Sequence, residues 1–189
     1  MHLLRLCWST TCVAALLGCV LVLPAPAGAQ AFVELAGGWN YVAPVASVAS
    51  SNGSNVRASI GWQVAPSFRW RIDAFTSQFD AKTALSLPCP SSGCPASAYI
   101  QSERVNGLTA NGLVEVDPRG IFYLIGGAGL YDLQSQTPET WHLGVSAGAG
   151  IAVPVATHLR AVVEARWHGV LGATSGPAWL VPITIGFRY

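Results

Sequence analysis

Charge is what this sequence has least of. Of its 189 residues only 10% are Asp, Glu, Lys or Arg, against about 25% in ordinary soluble domains. The formal net charge is +1, which argues against a nucleic-acid partner and against a polybasic patch on a membrane surface. Long apolar runs are missing beyond residue 30: none reaches the roughly 18 residues of a membrane helix, and no helical period is sustained there. Cysteine is scarce too. Cys7, Cys12 and Cys19 fall near the start, leaving Cys89 and Cys94 in Cys-Pro-Ser-Ser-Gly-Cys. No neighbouring His or Cys completes four ligands with that pair, so a zinc half-site is disfavoured. An even pair bounded by Pro and Gly reads instead as a loop disulfide in an oxidising compartment. Closing so small a loop is worth about 2 kcal/mol in the chain-entropy model.

The first 29 residues read as a cleaved secretory signal. Arg5 gives the basic start, residues 6–23 the apolar stretch, and Ala27-Gly28-Ala29 a cleavage site before Gln30. Pro24 and Pro26 break the helix that a retained anchor would need. Leu16-Leu17-Gly18-Cys19 has the look of a lipoprotein processing box, but apolar sequence runs on past Cys19 into the better site. Residues 30–189 are then one domain by size.

Alternation dominates that domain. Trp179, Val181, Ile183, Ile185, Phe187 and Tyr189 share one face of the last stretch, and Leu180, Pro182, Thr184, Gly186 and Arg188 the other. Strands are predicted at 31–42, 54–64, 68–80, 103–116, 121–131, 141–153, 159–169 and 178–189. Most reach the ~9–11 residues that a tilted strand needs to cross a bilayer. Tight turns at 65–67, 117–120 and 154–158 alternate with longer Ser-, Gly- and Asn-containing loops at 43–53, 81–102, 132–140 and 170–177. Residues 121–131 are apolar on both faces, so their register is undecided. Pro182 removes a ladder hydrogen bond and calls for a bulge or local irregularity.

Taking the more apolar face of each strand as the outside sorts the charges. Glu34, Arg57, Arg69, Arg71, Asp73, Glu115, Arg160, Glu164, Arg166 and Arg188 all fall inside. Asp80, Lys82, Glu103, Arg104, Asp117, Arg119, Asp132 and Glu139 fall in turns, loops or strand ends. An Arg or Lys facing mid-bilayer costs about 2–4 kcal/mol, so an uncharged outside face is the mark of lipid. Tryptophans sort likewise: Trp39, Trp141, Trp167 and Trp179 outside near the long loops, Trp62 and Trp70 outside near the tight turns. Two aromatic belts at headgroup level are implied.

The whole of 30–189 resembles the small outer-membrane β-barrel family of the OmpA transmembrane domain and OmpX/Ail-like proteins. The carrying features are the signal ending Ala27-Gly28-Ala29, the alternating strands and the terminal Ile183-Thr184-Ile185-Gly186-Phe187-Arg188-Tyr189. Tyr stands where the family more often ends on Phe. The resemblance implies an all-β fold, an eight-stranded antiparallel up-and-down transmembrane barrel in the bacterial outer membrane. Both termini then sit at the periplasmic, short-turn rim.

The inward charges are read as a polar network plugging the lumen, since eight strands leave an interior just wide enough for side chains. The arginine excess leaves open a narrow, anion-favouring pore. A lipid-modifying enzyme is the weaker alternative: His142 and Ser146 share an inner face but stand roughly 13 Å apart along the strand. His142 and His168 are placed near each other inside, as polar rim residues rather than metal ligands. Gly126-Gly127-Ala128-Gly129 sits mid-strand, where small residues relieve crowding and form no phosphate loop. The sequence thus points to a monomeric, non-enzymatic protein without cofactor, bathed in outer-membrane lipid. Loop 81–102, with Leu85, Leu87, Tyr99 and Ile100, is the place for any extracellular partner.

Overall fold

The computed structural model describes residues 30–41, 52–83, 99–134, 141–172 and 179–189. The predicted signal segment and the Cys89–Cys94 pair lie outside them. Eight strands follow in chain order: β1 (Ala31–Tyr41), β2 (Asn52–Ala65), β3 (Phe68–Thr83), β4 (Tyr99–Glu115), β5 (Phe122–Gln134), β6 (Trp141–Ala156), β7 (Leu159–Val170) and β8 (Trp179–Arg188). Each pairs antiparallel with its sequence neighbours, and β8 returns to β1, so the sheet is a closed barrel.

The pairing fixes the tilt. Followed round the barrel from Phe68, it runs through Val114, Leu124, Ala149, Ala165, Ile183, Trp39 and Ser54 and regains β3 at Gln78, ten residues on (68 to 78). For eight strands a stagger of that size corresponds to a tilt of about 40°. At that angle 9–11 residues cross a hydrocarbon layer.

Three expectations are corrected or completed. Loop 81–102 is shorter than predicted, because Thr83 pairs with Tyr99 and Lys82 with Ile100 within the β3–β4 ladder. The wall outlives its apolar face there: Thr76, Gln78, Arg104, Asn106, Asp132 and Gln134 lie on the outer parity of β3–β5. Asp132 Oδ2 accepts from Asn106 Nδ2 at 3.3 Å and Gln134 Nε2 at 3.0 Å. Backbone pairing continues past the point where the hydrophobic pattern stops. The undecided strand turns Tyr123, Ile125, Tyr131 and Leu133 inward and Phe122, Leu124 and Leu130 outward. At Pro182 the register does not shift. The β7–β8 ladder lapses between Ala165–Ile183 and His168–Leu180, then resumes in step. Register shifts occur instead beside the turns, between Gln63 and Ala65 and between Pro154 and Ala156.

Outward positions are apolar and open: Val33, Leu35, Ile72, Leu108, Leu124 and Ile185 are all exposed. Trp62 and Trp70 are cross-strand partners beside the β2–β3 turn, while Trp39 and Trp141 stand exposed toward the loop rim. Among the tight turns, Asp117 accepts from the backbone N–H of Arg119 at 3.0 Å and of Phe122 at 2.6 Å. Gly120 closes that turn at φ 62°, a left-handed conformation suited to glycine.

The lumen is filled, and not by charge alone. Phe75, Phe79, Val105, Tyr131, Leu133, Val170 and Leu180 cluster at the loop end. Leu113, Tyr123, Ile125, Ala152 and Val162 cluster toward the short turns. Inward glycines make the room. A Cβ on Gly61 would lie 2.2 Å from the Phe32 ring, and one on Gly150 2.4 Å from the Tyr123 phenol. Adjacent Gly127 and Gly126 differ sharply: a Cβ would meet the Ala110 carbonyl oxygen at 2.1 Å on the first, and nothing nearer than 3.7 Å on the second. Gly127→Ala is therefore expected to lower unfolding free energy by about 1–3 kcal/mol, and Gly126→Ala to change it by less than about 0.5 kcal/mol. Urea titration of the folded barrel in detergent checks both.

Candidate functional site

Between the two apolar clusters lies a belt of ions. Glu34 comes from β1, Arg57 from β2, Arg71 and Asp73 from β3, Glu164 and Arg166 from β7, and Arg188 from β8. Their inward parity follows from strand alternation, and barrel closure brings the first and last strands together. Glu34 and Arg188 are cross-strand partners although 154 residues apart.

Glu164 is the hub. Its carboxylate pairs with Arg57, with Arg71 Nη2 at 2.8 Å and with Arg166 Nη2 at 2.5 Å, and it accepts the Tyr123 hydroxyl at 2.8 Å. Glu34 pairs with Arg57 Nη2 at 2.5 Å and Arg71 Nη1 at 3.2 Å, and accepts Arg188 Nε at 2.9 Å. Asp73 meets Arg166 Nη1 at 2.6 Å and accepts Asn111 Nδ2 at 2.9 Å. Its other oxygen is 2.8 Å from Arg71 Nε, though out of line for a hydrogen bond. Asn111 also donates to Thr109 Oγ1 and accepts the Ser146 hydroxyl at 3.0 Å. Arg71 and Asp73 are 0% exposed. Ions so buried persist because each is matched, since the desolvation cost of an unmatched one is several kcal/mol.

The remaining inward charges sit below the belt. Arg69 Nη2 pairs with Glu115 at 2.6 Å, and Arg160 Nη1 donates to the Gly120 carbonyl at 2.9 Å. The charged positions selected from the sequence thus divide into a connected belt and a rim group. Sequence reasoning missed Tyr123, Thr109, Asn111 and Ser146 as partners, and missed the apolar clusters. Parity was the available signal: Phe75, Ser77 and Phe79 continue the face set by Arg71 and Asp73.

The histidines are not brought together across the ladder. His168 has Ser146 as its cross-strand partner, and His142 has Tyr131. His168 Nδ1 lies 2.9 Å from the Tyr131 hydroxyl, its ring 4.9 Å from that of Phe75. Ser146 is buried and spends its proton on Asn111. What the arrangement does chemically is clamp: its charged groups are paired with each other, although Arg57 Nε, Arg71 Nε and Asp73 Oδ1 make no aligned hydrogen bond. Glu164→Gln, which leaves three arginines facing a neutral amide, is expected to cost about 3–5 kcal/mol. Arg119→Gln, at an exposed turn, should cost about 0.5 kcal/mol or less. Equilibrium unfolding of both variants in the same detergent is the check.

No protein-family model and no curated protein matches the sequence. Solved structures do. Neisserial surface protein A is 12% identical, with a TM-score of 0.56 over 85% of this chain and 97% of that one. A major outer membrane protein from Thermus thermophilus is 13% identical, with a TM-score of 0.55 over 86% of this chain and 98% of the other. At such identities the likeness is one of fold. Closed antiparallel wall, apolar exterior and ionic interior define the class: a small eight-stranded β-barrel of the outer-membrane type.

Proposed function

We propose that the protein is a non-enzymatic, monomeric barrel of the bacterial outer membrane, with a structural or surface-interaction role. The carrying observation is the filled lumen: an ion belt closed above and below by apolar clusters. A lumen packed in that way favours a sealed barrel over steady conduction and over a substrate pocket around Ser146 or His168.

The loop-side geometry favours interaction at the surface. Outward side chains turn polar from Thr76 onward, yet β3 runs on to Thr83. Seven further residues at this tilt rise about 18 Å, more than the ~5–7 Å headgroup layer of one leaflet. The paired ends of β3 and β4 would therefore stand clear of the headgroups, at a rim open to recognition.

Planar-bilayer recording on the purified, folded protein tests the reading. It is expected to give no stable conductance steps at moderate voltage. Reproducible unitary channels would replace the sealed barrel with a small pore, and hydrolysis or acyl transfer on lipid would replace it with an enzyme.

A further inference from the structure

We propose that the short-turn mouth of the barrel is a binding site for an oxyanion, a phosphate or carboxylate group presented from the periplasmic side. A cavity of about 590 Å³ opens there, lined among others by Arg69, Arg160, Arg188, His158, Gln63 and Phe32. That volume lies within the range of small-molecule sites. Among the described residues that line it there is no Asp or Glu.

Three guanidinium groups converge on it. Arg160 and Arg188 are direct cross-strand partners on β7 and β8, an arrangement of like charges that is unfavourable by itself. Arg188 and Arg69 both lie against the Phe32 ring, at 4.7 and 5.8 Å from its centre. Glu115 partners Arg69 and Glu34 partners Arg188, but Glu34 is already shared with Arg57 and Arg71. Arg160 meets a neutral carbonyl. Arg188 Nη2 stands 2.8 Å from Glu34 Oε2, out of line for a hydrogen bond. Positive charge therefore accumulates at one open end, where Arg160 is the guanidinium that meets no carboxylate among the described residues. Guanidinium forks match the paired oxygens of phosphate and carboxylate. The same chemistry could be supplied by a soluble periplasmic anion or by an anionic lipid headgroup.

The test uses the processed protein folded into phosphatidylcholine nanodiscs and titrated with pyrophosphate by calorimetry. Saturable binding is expected, weakened at least tenfold by Arg160→Gln and less than twofold by Arg119→Gln, a turn cation outside the cavity. Should Arg160→Gln fail to fold, judged by heat-dependent gel mobility, His158→Asp at the exposed turn must cause the same loss. Native mass spectrometry of protein released from discs containing one third phosphatidylglycerol distinguishes the sources. Phosphatidylglycerol retained by the wild type and lost in Arg160→Gln assigns the site to headgroups, and equal retention by both assigns it to a soluble anion; either result upholds it. Absence of saturable binding in neutral discs, or equal losses at Arg160 and Arg119, overturns it. Such a failure leaves the sealed lumen untouched, since conductance reads the belt and not the mouth.

Discussion

In hydrocarbon there is no water to complete a backbone hydrogen bond, and a sheet survives there only if it has no edge. The return of β8 to β1 meets that demand. Val33 and Tyr189 exchange both N–H···O bonds at 2.9 Å, tying the end of the chain to its first strand. Pro182 shows how strict the demand is. Its missing donor coincides with the lapse between β7 and β8, while its pairing opposite Asn40 on β1 is kept and the register is preserved on both sides. Closure then divides every strand in two, one face for lipid and one for the lumen, and the remaining side-chain chemistry follows from that division.

Eight strands leave an interior just wide enough for side chains to fill. The chain fills it in layers, with apolar clusters at either end and arginines interleaved with carboxylates between. Buried ion pairs are poor sources of net stability compared with well-packed apolar residues. Their value here is register. A slip of one residue would turn Arg71 and Asp73 into lipid, at about 2–4 kcal/mol for the arginine alone. Glu34 on β1, Glu164 on β7 and Arg188 on β8 carry the same constraint across the closing seam. The glycines complement it. Phe32 lies over Gly61 and Tyr123 over Gly150, so large inward rings on one strand fit gaps in the next.

Strand number, inward charges and aromatic placement were legible because period-2 alternation in a lipid-facing wall leaves little freedom. Where one side of the wall stopped being lipid, the signal failed. β3 and β4 extend beyond the predicted limits, to Thr83 and from Tyr99, since the outward positions already turn polar at Gln78 and Arg104 and leave no alternation to follow. β5 was ambiguous for the opposite reason: Ile125, Tyr131 and Leu133 are apolar and yet inward, packing on lumen neighbours. Only cross-strand register settles them. The belt's membership could be read, but not its wiring, because the linking of Glu164 to Arg57 across 107 positions depends on closure. Tyr123 as a Glu164 donor had no sequence signal beyond its parity.

A wall given to lipid and a lumen given to packing leave the two rims as the places where this molecule can meet anything else, and the rims are unlike. On the loop side the β3–β4 ladder stays paired as far as Thr83 and Tyr99, beyond the apolar part of the wall. On the turn side the connections are too short to present anything, so chemistry there must come from the strand ends themselves. Arg69, Arg160 and Arg188 are those ends, held by β3, β7 and β8. Six inward arginines against four inward carboxylates cannot all be matched within the barrel. The belt, where water is excluded, takes up most of the carboxylates because an unmatched ion is costliest there. Four arginines share those three carboxylates, and of the other two Arg69 takes Glu115, so the cation left at the mouth is Arg160, where the inward face opens to solvent.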